Sequence, residues 1–370
     1  MTQRTPPETP DHGIGRRRFF AAGAGAFLCT IGGEQVLLSK PGDARRADAA
    51  AARVKRPAPP AAATPGSDAV DQLTFGTAQP QPGGSQREYW IEARDTLWDI
   101  VPSRPRRDLW HGTALPGPTV FRAFVYQQMS AGFAAPIGPA AIPGPTLECE
   151  VGDTLVVHVR NGLGAKFDQA ITMHPHGVRY TPDYDGVFLG DFTRAGGFIA
   201  RGEEFTYTWE ARPDSVGVWP YHDHGPNHTL NTFRGLFGAL IIRERGAPKP
   251  DVEEVLFLHQ LAPPSTGLRR AYQCINGRAY AGNTPTLRAK VGQDVAIHAI
   301  GMDNNFHDFH IHGHRWRDGK NGLFTDVPSL GPNETVTARF TEDNPGRWLY
   351  HCHVFAHQDA GMTGFYLVEP

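Results

Sequence analysis

Only four cysteines and five methionines are spread over 370 residues, which excludes a disulfide-framed scaffold. The N-terminal apolar run from Ala21 to Ile31 falls well short of the roughly 20 residues that a permanent bilayer-crossing helix needs. Charge of one sign is also missing. Lys and Arg number 36 against 38 Asp and Glu, a formal net charge of −2. The first 66 residues hold ten basic and five acidic side chains, which leaves 26 against 33 for the rest. A body without a basic face has no electrostatic footprint for nucleic acid.

What is present begins at the N-terminus. Arg16-Arg17-Arg18-Phe19-Phe20 precedes the small, apolar run and Gly32-Gly33, a layout that resembles a bacterial twin-arginine (Tat) export signal over residues 1–45. The resemblance implies a chain exported through that pathway to the periplasm or the medium, free of the membrane once the signal is removed. Residues 46–85 are rich in Ala and Pro without apolar periodicity and read as a linker; Ala47-Asp48-Ala49 is one candidate cleavage site.

Beyond residue 86 helical periodicity gives way to short alternating runs such as Leu155-Val156-Val157-His158-Val159 and Val336-Thr337-Ala338-Arg339-Phe340, the pattern of a β-sandwich. The chain also repeats itself. Pro145-Thr146-Leu147 through Val151-Gly152 returns as Pro285-Thr286-Leu287 through Val291-Gly292, and Gly217-x-Trp219-x-Tyr221-His222 returns as Gly346-x-Trp348-x-Tyr350-His351. The reading is therefore all-β, two tandem copies of one sandwich domain over 86–246 and 250–370.

Ten of the seventeen histidines fall in four short clusters: His174-x-His176, His222-x-His224, His307-x-x-His310-x-His312, and His351-Cys352-His353 with His357 and Met362. On a strand, positions i and i+2 face one side, so each His-x-His aims two imidazoles at one point. Two imidazoles, a thiolate and a weak thioether, here His307, His357, Cys352 and Met362, make the ligand set of a blue-copper electron-transfer site.

The four clusters in this order resemble the ligand signature of the multicopper oxidases, and within them the two-domain bacterial laccases. The resemblance covers residues 86–370 and implies tandem cupredoxin-like Greek-key sandwiches holding four copper ions per chain. It assigns His307, Cys352, His357 and Met362 to type 1 copper. His174 and His310 go to type 2 copper, and His176, His222, His224, His312, His351 and His353 to the type 3 pair. Asp185 and Tyr180 match an acid and a tyrosine that the family keeps near the cluster, and Asp223 is a second candidate proton carrier by adjacency. The implied reaction couples one-electron oxidation of a small-molecule reductant, phenols or aromatic amines first, to reduction of O₂ to water.

Superposing the repeats places Cys352 on Asp223, His357 on His228, Met362 on Phe233 and His307 on Ile171. The first domain should therefore lack the blue copper, with His228 as a leftover hydrogen-bonding side chain. Two other classes compete with this reading. A cuprous oxidase would carry a methionine-rich segment, and a ferroxidase would need carboxylates beside type 1 copper. A copper nitrite reductase or simple carrier would not need the type 3 histidines. Because each domain supplies half of the eight cluster histidines and two domains cannot form a ring within one chain, the expected assembly is a head-to-tail homotrimer. Cys149 and Cys274 are left to pair or to stay free.

Overall fold

The computed structural model describes residues 27–31, 34–58 and 69–370; the twin-arginine stretch at 16–18 lies outside the described residues. Two sandwiches follow one another. In the first, strands Glu204–Glu210, Thr154–Asn161, Gln86–Asp99 and Val120–Met129 form one sheet, facing Leu147–Glu150, Phe237–Arg243, Gly217–His222 and His174–Pro175. In the second, Tyr272–Ile275, Val252–Leu261, Asp294–Gly301 and Thr335–Thr341 face Thr286–Lys290, Thr363–Glu369, Gly346–Cys352, His307–Ile311 and Ser329–Leu330. Spatial order departs from chain order in each of these four sheets, so the chain crosses repeatedly between layers in the Greek-key manner. Strand Thr286–Lys290 shows the sequence cause: Leu287 and Ala289 are buried, while Thr286, Arg288 and Lys290 face water.

Each sandwich has its own core, with Tyr207, Trp209 and Tyr221 in the first and Phe309, Trp316, Tyr350 and Tyr366 in the second. A third apolar body joins them: Trp98, Phe121 and Phe237 from the first domain meet Phe257, Tyr272 and Met302 from the second. Each large side chain buried there contributes about 1.5–3 kcal/mol, so the two domains share a fixed seam. The Arg243 guanidinium adds an ion pair to Glu253 across the connection.

The repeat persists in detail. Tyr221 donates its hydroxyl to Pro145 O at 2.6 Å and Tyr350 to Pro285 O at 2.7 Å. Gly177 and Gly313, which follow the first His-x-His of each domain, have φ of 75° and 73°. A Cβ on Gly177 would lie 2.3 Å from the Trp219 ring, so only glycine lets the chain turn there.

The structure corrects the expectation for residues 46–85, part of which is folded, and it also packs residues 27–31 and 34–45 of the expected signal onto the first domain. Asp43–Ala51 is a helix whose Ala44, Ala47 and Ala51 are buried. With Cys29, Ile31 and Leu38 of the Phe27–Ile31 and Glu34–Leu38 hairpin, they pack against Leu230 of the first domain. Asp48 takes two hydrogen bonds from Arg234, at 2.6 and 2.9 Å. An alanine face is too weakly apolar to register as a period in a stretch full of alanine. The candidate cleavage triplet at 47–49 therefore lies inside a packed helix. All four cysteines are free and buried; Cys149 sits in the first core and Cys274 in the seam.

Candidate metal centre

Strand Gly346–Cys352 ends at a short helix, Phe355–Asp359, which carries His357. The chain then closes on itself: Met362 N donates to His357 O at 3.0 Å and Cys352 N to Met362 O at 3.1 Å. Three of the four type 1 candidates thus belong to one loop. The fourth, His307, opens the neighbouring strand, where Phe309 pairs with Cys352 and His310 with His351. Cys352 Sγ lies 3.8 Å from His307 Nδ1 and 3.6 Å from His357 Nδ1. Met362 is buried in the same core. Burial alone would raise the Cys352 thiol, but hydrogen bonds from His307, His357 and the Asp308 N–H bring it down to about 7, which makes a thiolate accessible.

His307 is oriented by a residue that the sequence did not single out. Asp303 Oδ1 lies 3.2 Å from His307 Nε2 and accepts the Asn305 N–H at 2.7 Å, which leaves His307 Nδ1 facing the sulfur. Burial lowers the His307 imidazole, yet its bonds to Asp303 and Cys352 outweigh that and hold it at about 9. The Asp303 contact is made by a turn, so strand spacing could not have found it. A thiolate, two Nδ1 atoms turned toward it and a buried thioether fit a blue copper ion.

The other eight histidines form two matching quartets. His174 sits opposite His222 in register, as His310 sits opposite His351. The His174 ring lies 5.1, 5.5 and 5.3 Å from the rings of His176, His222 and His224. His310 lies 5.1, 5.3 and 5.4 Å from His312, His351 and His353. His174 Nδ1 donates to Asp185 O and His310 Nδ1 to Asp326 O, both at 2.7 Å. His222 and His351 use Nδ1 on the carbonyls of Asp223 and Cys352 at 2.9 and 3.0 Å. Their Nε2 atoms therefore carry lone pairs, each hydrogen-bonded at 3.1 Å to Nε2 of a neighbour, His176 or His312. His224 Nδ1 is buried without a partner. Burial pushes His222 down to about 3, and His176, His224 and His351 to about 4, so these rings are neutral near pH 7. Converging neutral imidazoles fit copper in both quartets. Every ring contact of these histidines stays within its own domain.

Asp185 and Tyr180 meet at His174. The Asp185 carboxylate is 3.1 Å from His174 Nδ1, the Tyr180 ring is 5.7 Å from the His174 ring, and Tyr180 hydrogen-bonds Asp185. Asp223 is different: it is fully buried, accepts the Thr172 N–H at 2.7 Å and is held by Asn231 at 3.0 Å. Burial raises its carboxyl to about 6 against the opposing pull of those bonds. Sequence reading also passed over a buried pair behind His312. His314 Nδ1 donates to His312 O at 2.7 Å, and its Nε2 lies 3.0 Å from Glu342, which Tyr366 also contacts.

Two cupredoxin-like sandwiches, one with a blue-copper ligand loop and each with a histidine quartet, define a copper-dependent oxidoreductase. Family models described as multicopper oxidase match residues 139–247 and 258–370, and the chain belongs to the multicopper oxidase family. It is 28% identical to mouse hephaestin over 353 residues, covering 77% of this chain and 30% of that protein. It is 30% identical over 243 residues to a probable nitrite reductase-hydroxylamine oxidoreductase fusion protein of Kuenenia stuttgartiensis, covering 62% and 28%. The chain thus spans under a third of the curated relatives it matches. A crystal structure of a multicopper oxidase superposes with a TM-score of 0.61 at 25% identity, covering 80% of this chain and 93% of that one. A copper nitrite reductase from Nitrosomonas europaea shares the fold, with a TM-score of 0.57 at 18% identity.

Proposed function

We propose that the chain is a laccase-like oxidase that takes single electrons from phenols or aromatic amines at the His307, Cys352, His357 and Met362 site. The observation that carries this reading is the closed loop that sets His357 Nδ1 3.6 Å from Cys352 Sγ, joined by His307 Nδ1 of the neighbouring strand at 3.8 Å, with His351 and His353 on either side of the same cysteine. When bound, one type 1, one type 2 and two type 3 copper ions would supply the electron transfer and the reduction of O₂ to water. The chain's own part is to hold and position. Asp308 N–H and Asp303 fix the thiolate and His307. Asp185, a quarter exposed, can take a proton from solvent and present it beside His174. Asp223, sealed from water, acts as a strut between Thr172 and Asn231.

Two quartets that never touch within one chain support a cluster completed by a second chain. His353 is exposed beside Phe355, which is 70% exposed, and Leu189 and Phe192 are exposed just beyond Phe188, whose N–H bonds His224 O. Apolar collars around both halves suit a head-to-tail trimer with the cluster at each contact. The N-terminal signature supports export to the periplasm or medium, and no helix among the described residues is long and apolar enough to cross a membrane. A cuprous oxidase is disfavoured because Met129, Met173, Met302 and Met362 are all buried. Oxygen uptake with a substituted phenol, Fe(II) and Cu(I) as alternative donors tests the assignment. Uptake faster with either metal ion than with the phenol would overturn it.

A further inference from the structure

The short helix His228–Thr232 lies beside the first histidine quartet and touches it in three places. The His228 ring stacks on His224, with centroids 4.6 Å apart and planes 23° from parallel. Asn231 donates to the Asp223 carboxylate at 3.0 Å, and the Thr232 hydroxyl donates at 3.3 Å to Asp223 O, the carbonyl that already takes His222 Nδ1. Five residues are far too few for a helix to hold itself in water, so its neighbours must hold it. In the second domain the matching helix, Phe355–Asp359, has no buried residue and carries His357, so the type 1 ligand loop itself ties it down. In the first domain that loop has no such ligand set, and the helix Asp43–Ala51 covers it instead. Its buried Ala44, Ala47 and Ala51 pack with Leu230 of the short helix. Its Asp48 grips both terminal nitrogens of Arg234, two residues beyond that helix. Arg234 is 5% exposed, lies over the Phe124 ring at 4.8 Å and gives its Nε to Ser265 O of the second domain at 3.3 Å. Among the described residues Asp48 is its only carboxylate partner, so losing that partner would leave a buried cation uncompensated, which is strongly destabilising.

We propose that the helix Asp43–Ala51 is a clamp that positions the first histidine quartet, acting through Leu230 and Arg234 on His228–Thr232 and thence on His222 and His224. It supplies the restraint that the metal loop supplies in the second domain, and the working protein must keep it. Asp48 and Leu230 are positioning residues rather than ligands. The effect on copper rests on the copper reading of the quartet; the restraint on the histidines holds without any ion.

Hydrogen exchange of the copper-free protein, set beside chelator titration of the copper-loaded one, tests this in Asp48→Asn. Amides of residues 223–236 should exchange at least about tenfold faster than in the parent, while those of residues 352–362 keep their rate. The type 2 EPR signal should be lost at about tenfold lower chelator concentration, with the roughly 600 nm band of the type 1 loop unchanged. Ala47→Gly, which loosens the helix and leaves Arg234 paired, should speed the same amides by about threefold. Unchanged exchange at 223–236 in both variants, or an equal rise in both domains, would overturn the clamp. A parent with no type 2 signal would sink the copper reading of the quartets, and the exchange rates alone would then decide the clamp.

Discussion

The two domains place the same backbone group against different atoms. In the second, Asp308 N–H points at Cys352 Sγ at 3.5 Å; at the matching position of the first, Thr172 N–H donates to Asp223 Oδ1 at 2.7 Å. His307 and Ile171 occupy equivalent, fully buried places. The loop that wraps these atoms needs something at its centre. In one domain the ligand set can hold a metal; in the other an aspartate fills the place with Thr172 and Asn231 as partners. A second contrast runs the other way. The buried His314, Glu342 and Tyr366 of the second domain align with Val178, Ala211 and Leu240, all buried, in the first. Polarity in one core is matched by plain hydrocarbon in its twin, so the fold itself demands neither.

The strongest way to break the comparison is at the metal loop. Cys352→Ser should abolish both the blue absorption and the oxidase activity, whereas Asp223→Cys should produce no second blue site, because Ile171 and Phe233 offer no ligand. Copper analysis with visible and EPR spectra decides this; a new blue band in Asp223→Cys would refute the account of the first domain.

Asp185 sharpens a subtler asymmetry. His174 and His310 both donate to an aspartate carbonyl, but of the two only His174 has a carboxylate paired with its ring, at 3.1 Å. Asp185→Asn should slow O₂ reduction by roughly a hundredfold, most at high pH, while stopped-flow reduction by substrate stays normal. Asp326→Asn should change little. Equal losses in the two variants would remove Asp185 from proton delivery.

The buried polar trio can be converted toward its twin. Glu342→Ala strands His314 and should cost about 3–5 kcal/mol in chemical denaturation, whereas adding His314→Val should recover much of that loss. A double variant no better than the single would mean that the pair contributes net stability in its own right.

The smallest effect concerns the junction. Burial alone would raise the Glu253 carboxyl, but hydrogen bonds from His298 and Arg243 hold it at about 2 against an ordinary 4.5. The folded state therefore binds fewer protons than the unfolded. The stabilisation is complete above pH 4.5 and fades as pH falls toward 2, by up to about 3 kcal/mol. Urea unfolding midpoints of the parent and Glu253→Gln, measured across pH, should differ most above pH 4.5 and converge near pH 2.

How much was legible follows from where each feature's atoms lie along the chain. The all-β class, the repeat and the proposed copper ligands could be read because each depends on spacing within a few residues. Alternation sets a sandwich strand, His-x-His sets two rings on one face, and the cysteine, histidine and methionine of one loop lie within ten positions of one another. Asp303 reaching His307 through a turn, Glu342 reaching His314, and the alanine helix docking on Leu230 carry no local period. Only the packed chain decided them. The seam between the domains belongs with these: Trp98 and Tyr272 look like ordinary core residues in sequence, and which core they enter depends on how two complete sandwiches meet. Spacing determines which side chains can share a point; the tertiary fold determines which distant ones arrive there, because that choice is made by burial and hydrogen bonding across the whole chain.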